Sequence, residues 1–429
     1  MSVAAQQDRK LASAGGVNWL YIAPWLAAAL VLAVLPFVFA SGAALTVMNQ
    51  MAITIIFALA YNMLLGQGGM LSFGHAVYMG LGGFFCVHLM NMVEYDDLLL
   101  PLPLLPLCGG VFGLLFAVIV GAFSTRRAGT VFAMISLGVG ELIAACSIIV
   151  VAFFGGEEGV SGDRTMGPTV FGFDFASQQE VYYLSAIWLL VSALAMYLYS
   201  RTPIGRMANA VRDNEERAEF LGYSQRKVRF MSFCASGFFA GIAGGLFAIN
   251  FEILTEENLN LATSGSVLLV TFLGGAGFFI GPIIGAIVFT LLQTVLSLYT
   301  EIWQLYLGIL FVMTVMFFPS GLTGLLAVHI RPYQLGKLGL LARPYLMMAI
   351  PVLAFVLGTA ACLEILFHAR HAALGDEMMS LFGIEFNSHG LFPLGLSIAI
   401  AAISFYLLSR MAPMFTEAWD TANHLEAGS

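Results

Sequence analysis

The sequence has 429 residues, of which 17 are basic and 25 acidic, a net charge of −8, while 60% are hydrophobic. A soluble domain carries about 25% charged residues, which the 10% found here excludes, and disorder needs low hydrophobicity with high net charge, which the 60% hydrophobic content excludes. Outer-membrane barrels alternate apolar and polar residues, whereas this chain has continuous apolar blocks, enough at about 20 residues per crossing for up to about 12 spans. The fold class is therefore all-α: a polytopic, membrane-embedded helical bundle of about 10–12 apolar segments, some broken by glycine.

In chain order, Arg9 and Lys10 precede an apolar stretch from Trp19 to Ala40. That is too long for the roughly 7–15-residue core of a signal peptide, so residues 1–18 are an N-terminal extension and 19–40 a first, uncleaved span. Further apolar blocks fall at 43–65, 69–90, 104–123, 131–154, 181–199, 230–249, 264–276, 281–298, 302–319, 345–367 and 392–409. Basic residues cluster at Arg126–Arg127, in 201–229, and at Arg331, Lys337 and Arg343; the loops between are acidic, with Glu94, Asp96, Asp97, Glu157, Glu158, Glu252, Glu256 and Glu257. The positive-inside rule puts the basic segments in the cytoplasm and the acidic loops outside. The assignment closes only if 264–298 crosses twice, or enters and returns, around its Gly-rich middle. The 13-residue 264–276 block, about 20 Å of helix, is too short to span alone. Both termini then lie inside.

Glycine interrupts the apolar pattern in two stretches: Gly66-Gln-Gly-Gly69-Met-Leu-Ser72-Phe-Gly74-His75 and Gly274-Gly-Ala-Gly277-Phe-Phe-Ile-Gly281-Pro282-Ile-Ile-Gly285. Two readings stand for each. Irregular backbone at membrane depth belongs where it is buried or lines a cavity, and transporters break helices near the substrate path in this way. Alternatively, small residues simply let helices approach closely. Candidate pathway residues on the first reading are Asn62, Gly66, Gly69, Ser72, Gly74, His75, Gly274, Gly277 and Gly281. Glu141, in mid-block, joins them, because an ionisable group at the bilayer centre costs at least about 2.5–3.5 kcal/mol and needs a reason; its alternative is an isolated, partly protonated structural carboxyl. His88 reads as interfacial and Glu364 as snorkelling at a span end. Asn62, Ser72 and Gln293 serve equally as interhelical glue or ligand contacts.

The 201–229 segment holds seven of the 17 basic residues. Ile204, Met207, Ala208, Val211, Ala218 and Leu221 recur at about helical spacing, and Gly222 is placed as a helix stop. A short amphipathic helix on the cytoplasmic face either docks into a soluble partner or is a solvated loop that fixes topology. With Phe230 through Gly245, this segment resembles the permease subunits of branched-chain amino acid ABC importers, most of all the M-type permease. Four further stretches match in order: Asn62–Ala76, Gly155–Gly159, Leu273–Pro282 and Phe317–Leu326. Together they cover about residues 40–326.

The resemblance implies a permease domain over 19–326 in the bacterial inner (plasma) membrane, with 201–229 as a cytoplasmic coupling loop. Arg212, Glu215, Glu216, Ala218, Glu219 and Gly222 form its ATPase-coupling segment. It also implies separate cytoplasmic ATP-binding subunits, a second related permease subunit, a periplasmic substrate-binding protein and a branched-chain or related amino acid as cargo, although related permeases also serve urea and short amides. The sequence agrees by omission: it has three lysines, Lys10, Lys227 and Lys337, and none closes a phosphate-binding Gly-x-x-x-x-Gly-Lys-Ser/Thr loop. Residues 327–429, with two further transmembrane segments, go beyond the usual family length. No catalytic, cofactor or metal constellation is found: the five cysteines read as buried hydrophobes, and His368 and His371 lack a third ligand. No basic–aromatic pattern suggests nucleic acid; membrane lipid is the expected surrounding. The alternative function is a self-sufficient secondary transporter or channel for a small polar solute, with Glu141 carrying a proton. An integral-membrane enzyme lacks a nucleophile–base pair.

Overall fold

A computed structural model describes residues 19–96, 98–169, 172–318, 320–371, 378–381 and 383–423. The N-terminal extension 1–18 lies outside them, as do Arg9, Lys10, Asp97, Pro319 and His424. The chain divides into two compact units.

The first unit runs to Thr294 and adds Thr314–Leu322. Its helices are α1 (Trp19–Val38), α2 (Gly42–Asn62), α3 (Ala76–Tyr95), α4 (Leu105–Ser124), α5 (Gly129–Ile149), α6 (Gln178–Arg201), α7 (Pro203–Asp213), α8 (Glu215–Phe220), α9 (Gln225–Phe251), α10 (Leu261–Gly274) and α11 (Gly281–Leu291). α12 (Trp303–Phe317) follows. Each apolar block of the sequence thus becomes a helix. Eight helices among the described residues are long and apolar enough to cross a membrane; the part of α1 searched, Ile22–Val38, and the helix from Gly281 are shorter, as is the 14-residue α10.

α9 is the axis of this unit: 83% of its most apolar window is buried, against 28% for α5. Small residues explain its position. A Cβ on Gly241 would overlap the carbonyl of Gly109 on α4, and one on Gly244 the carbonyl of Met79 on α3. Lipid offers no hydrophobic drive between helices, so association depends on close van der Waals packing, which this seam supplies. Trp188 Nε1 donates to Pro103 O at 3.1 Å and Tyr182 OH to Leu32 O at 2.8 Å, tying α6 to the residues before α4 and to α1.

α10 and α11 form an antiparallel hairpin. Gly285 packs against Val270 and Gly274, and Gly281 against Gly274 and Gly275. Gly275, at φ +109°, lies against Ser320 and Gly321. The Gly-rich middle of the 264–298 region is thus the turn of this hairpin.

The loop after α5 folds over the end of α9. β1 (Val160–Ser161) pairs antiparallel with β2 (Ile253–Leu254). Arg164, buried, donates from Nε to Phe175 O at 2.9 Å and from Nη1 to Ile249 O and Asn250 O at 3.3 and 3.4 Å. These last two carbonyls belong to the final turn of α9, which has no intrahelical donors left for them, and a cation there complements the helix dipole. Glu252, in the left-handed region at φ +57°, accepts from Arg164 N at 3.0 Å and lies 3.8 Å from its guanidinium.

The second unit comprises Val295–Met313 and the residues from Thr323 onward. Two long helices, α13 (Leu338–His371) and α14 (Leu391–Asn423), pack together, and β3 (Met378–Leu381) pairs with β4 (Ile384–Asn387) between them in sequence. The expected snorkelling of Glu364 is replaced by a bond: Tyr306 OH donates to its Oε1 at 2.9 Å.

Candidate functional site: the glycine junction and its cytoplasmic helices

α2 runs directly into a π-helical turn at Met63–Gln67, and the backbone stays irregular to His75. This turn is where the two glycine stretches meet, although about 200 residues separate them. A Cβ on Gly66 would overlap the carbonyl of Ala276, so only glycine permits the approach. Asn62 Nδ2 donates to Phe278 O at 3.5 Å, and Asn62 Oδ1 is buried with no partner among the described residues.

The basic loop reaches the same turn. Arg212, at the end of α7, donates from Nη1 to Gly66 O, and its methylenes lie across Gly69, which sits at φ +63°. Asp213 accepts from Arg212 Nε at 2.9 Å and holds the guanidinium in place. A main-chain carbonyl is free to receive this bond because the π-turn and the chain reversal after it leave the regular helix ladder.

The expected single helix of the loop is two. Asn214 breaks it with extended backbone, and its side chain accepts from Arg217 N at 2.9 Å, capping α8. α8 then stops as expected at Gly222, at φ +84°: Gly222 N donates to Glu219 O at 2.8 Å and Tyr223 N to Ala218 O at 3.2 Å. That is the paired-bond stop of a helix ending in a left-handed residue. Ala218 is buried with Ala208, Val211 and Val228 in a small core. Glu215 pairs with the buried Arg229 at the base of α9, and Glu219 accepts from Gln225 at 2.9 Å. Glu216 is exposed. Leu221, expected on the buried face, is instead 64% exposed beside Phe220 at 89%, because the break at Asn214 turns α8 away from the line of α7.

The remaining candidates are scattered. Gly274 and Gly281 are packed into the hairpin turn, and Gly277 stands exposed at its tip. Ser72 is buried, its carbonyl accepting from Tyr61 OH at 2.9 Å. Gly74 packs on Ser136 and Gly140 of α5. His75 does not face a cavity. It is fully buried against Phe57, Tyr61 and Tyr78. Ser236 Oγ donates to Ala60 O at 2.5 Å and so accepts from His75 Nε2 at 3.2 Å, which places the ring proton on Nε2. His88, read as interfacial, is half-buried on Phe153, with Nε2 2.7 Å from its carbonyl. Glu141 is exposed on the face of α5 and does not point into the packed interior of the unit. Hydropathy assigns depth but not azimuth, which is why it read as interior. Sequence reasoning passed over Arg164 and Phe220; an arginine in an acidic outer loop and a Phe-Leu pair in a basic one were the available signals.

Among the described residues no group of His, Cys, Asp and Glu could hold a metal ion.

The family described as branched-chain amino acid transport system, permease component, matches residues 43–318. The high-affinity branched-chain amino acid transport system permease protein LivM of Escherichia coli is 28% identical over 322 residues, covering 70% of this chain and 74% of that protein. The LivM protein of Salmonella typhimurium is similar to the same extent. The autoinducer 2 import system permease protein LsrC of Klebsiella pneumoniae is 31% identical over 159 residues, 35% of this chain and 46% of that protein. No solved structure matches the chain. The match runs from the start of α2 to the end of α12 and so takes in every residue of the glycine junction, and the chain is a member of the permease-component family of branched-chain amino acid transport systems.

Proposed function

We propose that this chain forms half of the translocation pathway of a binding-protein-dependent ABC importer for branched-chain or related amino acids. It works in the bacterial inner membrane with both termini and the 201–229 loop in the cytoplasm. A second, related permease subunit completes the path, a periplasmic binding protein delivers cargo at the outer loops, and separate ATP-binding subunits drive the cycle. Residues 19–326 are the permease proper and 327–429 an accessory extension. Glu215 and Glu219 fix α8 to α9, Glu216 and the exposed Phe220 and Leu221 present its surface to the ATPase, and Gly222 ends it. Asn62, Gly66, Gly69 and the hairpin glycines Gly274, Gly277 and Gly281 form the movable constriction, with Ser72, Gly74 and His75 as its packed support. Glu141 faces the companion permease.

The observation that carries this reading is the Arg212–Gly66 contact. It joins the helix available to an ATPase directly to the turn where both glycine breaks meet. A movement of α7 and α8 is thereby transmitted to the pathway backbone without a side-chain intermediary at the receiving end.

The test separates docking from transmission. Replacing 212–222 with Gly/Ser abolishes co-purification of an ATPase with the chain and stops uptake. Arg212→Ala retains the ATPase but lowers ATP-driven leucine uptake about tenfold or more, the loss of a charge-assisted bond. ATPase retention and normal uptake after the loop replacement sink the coupling role. Normal uptake in Arg212→Ala sinks the transmission role alone.

A further inference from the structure

Above the glycine junction, inside the first unit, lies a cavity of about 170 Å³ bordered by α2, α3, α9, α10 and the π-helical end of α11. Gln50, Thr54 and Phe57 line it from α2 at i, i+4 and i+7; Thr263, Ser266, Val267 and Val270 line it from α10 at i, i+3, i+4 and i+7. Each set is one helix face. Followed along α2, that face ends at the turn beginning after Asn62; followed along α10, it ends one turn later at Gly274. The cavity therefore rests on the same two helices whose ends make the junction.

Its lining is selective. Six lining residues are polar and none is charged. The hydroxyl protons are already used: Thr54 donates to Gln50 O at 2.8 Å, Thr263 to Glu257 O at 2.7 Å and Ser266 to Ala262 O at 3.0 Å. What these hydroxyls offer the cavity is lone pairs, which suit N–H donors. The carboxamides of Gln50 and Gln293 supply both acceptors and N–H donors, the latter suited to a carboxylate or carbonyl. Val267, Val270 and Phe289 provide an apolar wall. The space admits several waters or one solute smaller than a drug-sized ligand.

We infer that this cavity is a transit site within the permease for a zwitterionic amino acid, its ammonium set against the hydroxyl lone pairs, its carboxylate against the glutamine amides and its aliphatic side chain against Val267, Val270 and Phe289. An ion of net charge finds no counter-charge here, whereas the two ends of a zwitterion partly compensate each other and need only the hydrogen bonds that the hydroxyls and carboxamides offer. This deepens the transport reading and rests on it.

The test uses the full chain in its own host. At equal membrane abundance, Gln50→Leu and Gln293→Leu raise the KM for leucine uptake about tenfold, the loss of one well-made polar contact. Gln293→Glu, which keeps the shape and adds an uncompensated charge, does the same. Phe289→Ala shifts preference from leucine towards phenylalanine. Unchanged kinetics in all three glutamine variants overturn the inference. Unchanged leucine uptake on deleting the whole chain instead overturns the transport reading. A second measurement stands apart from transport: labelling of Ser266→Cys in membrane vesicles by a methanethiosulfonate reagent, against the unsubstituted chain. Leucine slows it and isoamylamine or isocaproate at the same concentration does not. Labelling indifferent to leucine, or slowed equally by all three, overturns the inference.

Discussion

Arg164 shows how one residue fixes a whole loop. It is 8% exposed, yet its guanidinium serves carbonyls from the end of α9 and from Phe175 and Ala176 before α6. Removing it leaves these acceptors unsatisfied around a half-exposed Glu252. Arg164→Gln is expected to cost about 1.5–3 kcal/mol, the range for hydrogen bonds to a charged group, read as a lower Tm in detergent and faster proteolysis between Gly155 and Ser177. The neighbouring Asp163 titrates the same loop. The Thr165 hydroxyl, then the Thr165 N–H, hold its carboxyl below the usual range. A depressed folded value stabilises the loop above the unfolded value of about 4 and loses that contribution as pH falls through the folded one. Loop proteolysis should therefore rise in acid, and Asp163→Asn should flatten the rise. In the sequence Arg164 left one signal, a lone arginine in an acidic loop, which does not say what it binds, and Asp163 left none. Gly222 was legible, because the local chemistry of a helix stop needs no tertiary information. Glu141 and His75 were not: both sit in apolar blocks, and only packing decides that one points out and the other into an aromatic cluster.

Elements were more readable than the faces they present. Twelve apolar blocks became twelve helices, since length and hydrophobicity fix existence and type. The split of the loop into α7 and α8 was written in Asn214 and the acidic residues after it, a capping pattern overridden by the continuous apolar spacing. The seam of α9 was equally visible as small residues, but its meaning depends on which helices lie opposite. There the prediction is sharp. Gly241→Leu inserts a side chain where the backbone of α4 already touches, and overpacking costs about 1–3 kcal/mol or more. Gly265→Leu, at a position where an added Cβ meets open space, should leave stability near that of the parent. Comparing thermal unfolding of the two in one detergent checks whether close packing, rather than helix propensity, holds the bundle.

For the whole molecule, the first unit contains most of the family-matched range, and the second contains α13 and α14, of whose apolar windows only 6% and 11% are buried. Within their unit these two helices pack chiefly on each other. A chain ended after Gln334 is expected to keep the unfolding temperature of the first unit and to retain leucine uptake; loss of both would make the extension part of the permease proper. What could not be read was the junction of the two glycine stretches: contacts at such sequence separation leave no periodic signal.

The acceptor of the Arg212 bond is a carbonyl, and every amino acid carries one. Only one end of the contact is open to mutation by side chain. Exchange of two residues cannot restore it once broken, a double-mutant cycle has no second arm, and no pair of varying positions would betray it in a family of sequences. Coupling of this kind is hidden from covariation by construction. It can be found only where it acts, in the geometry of the main chain.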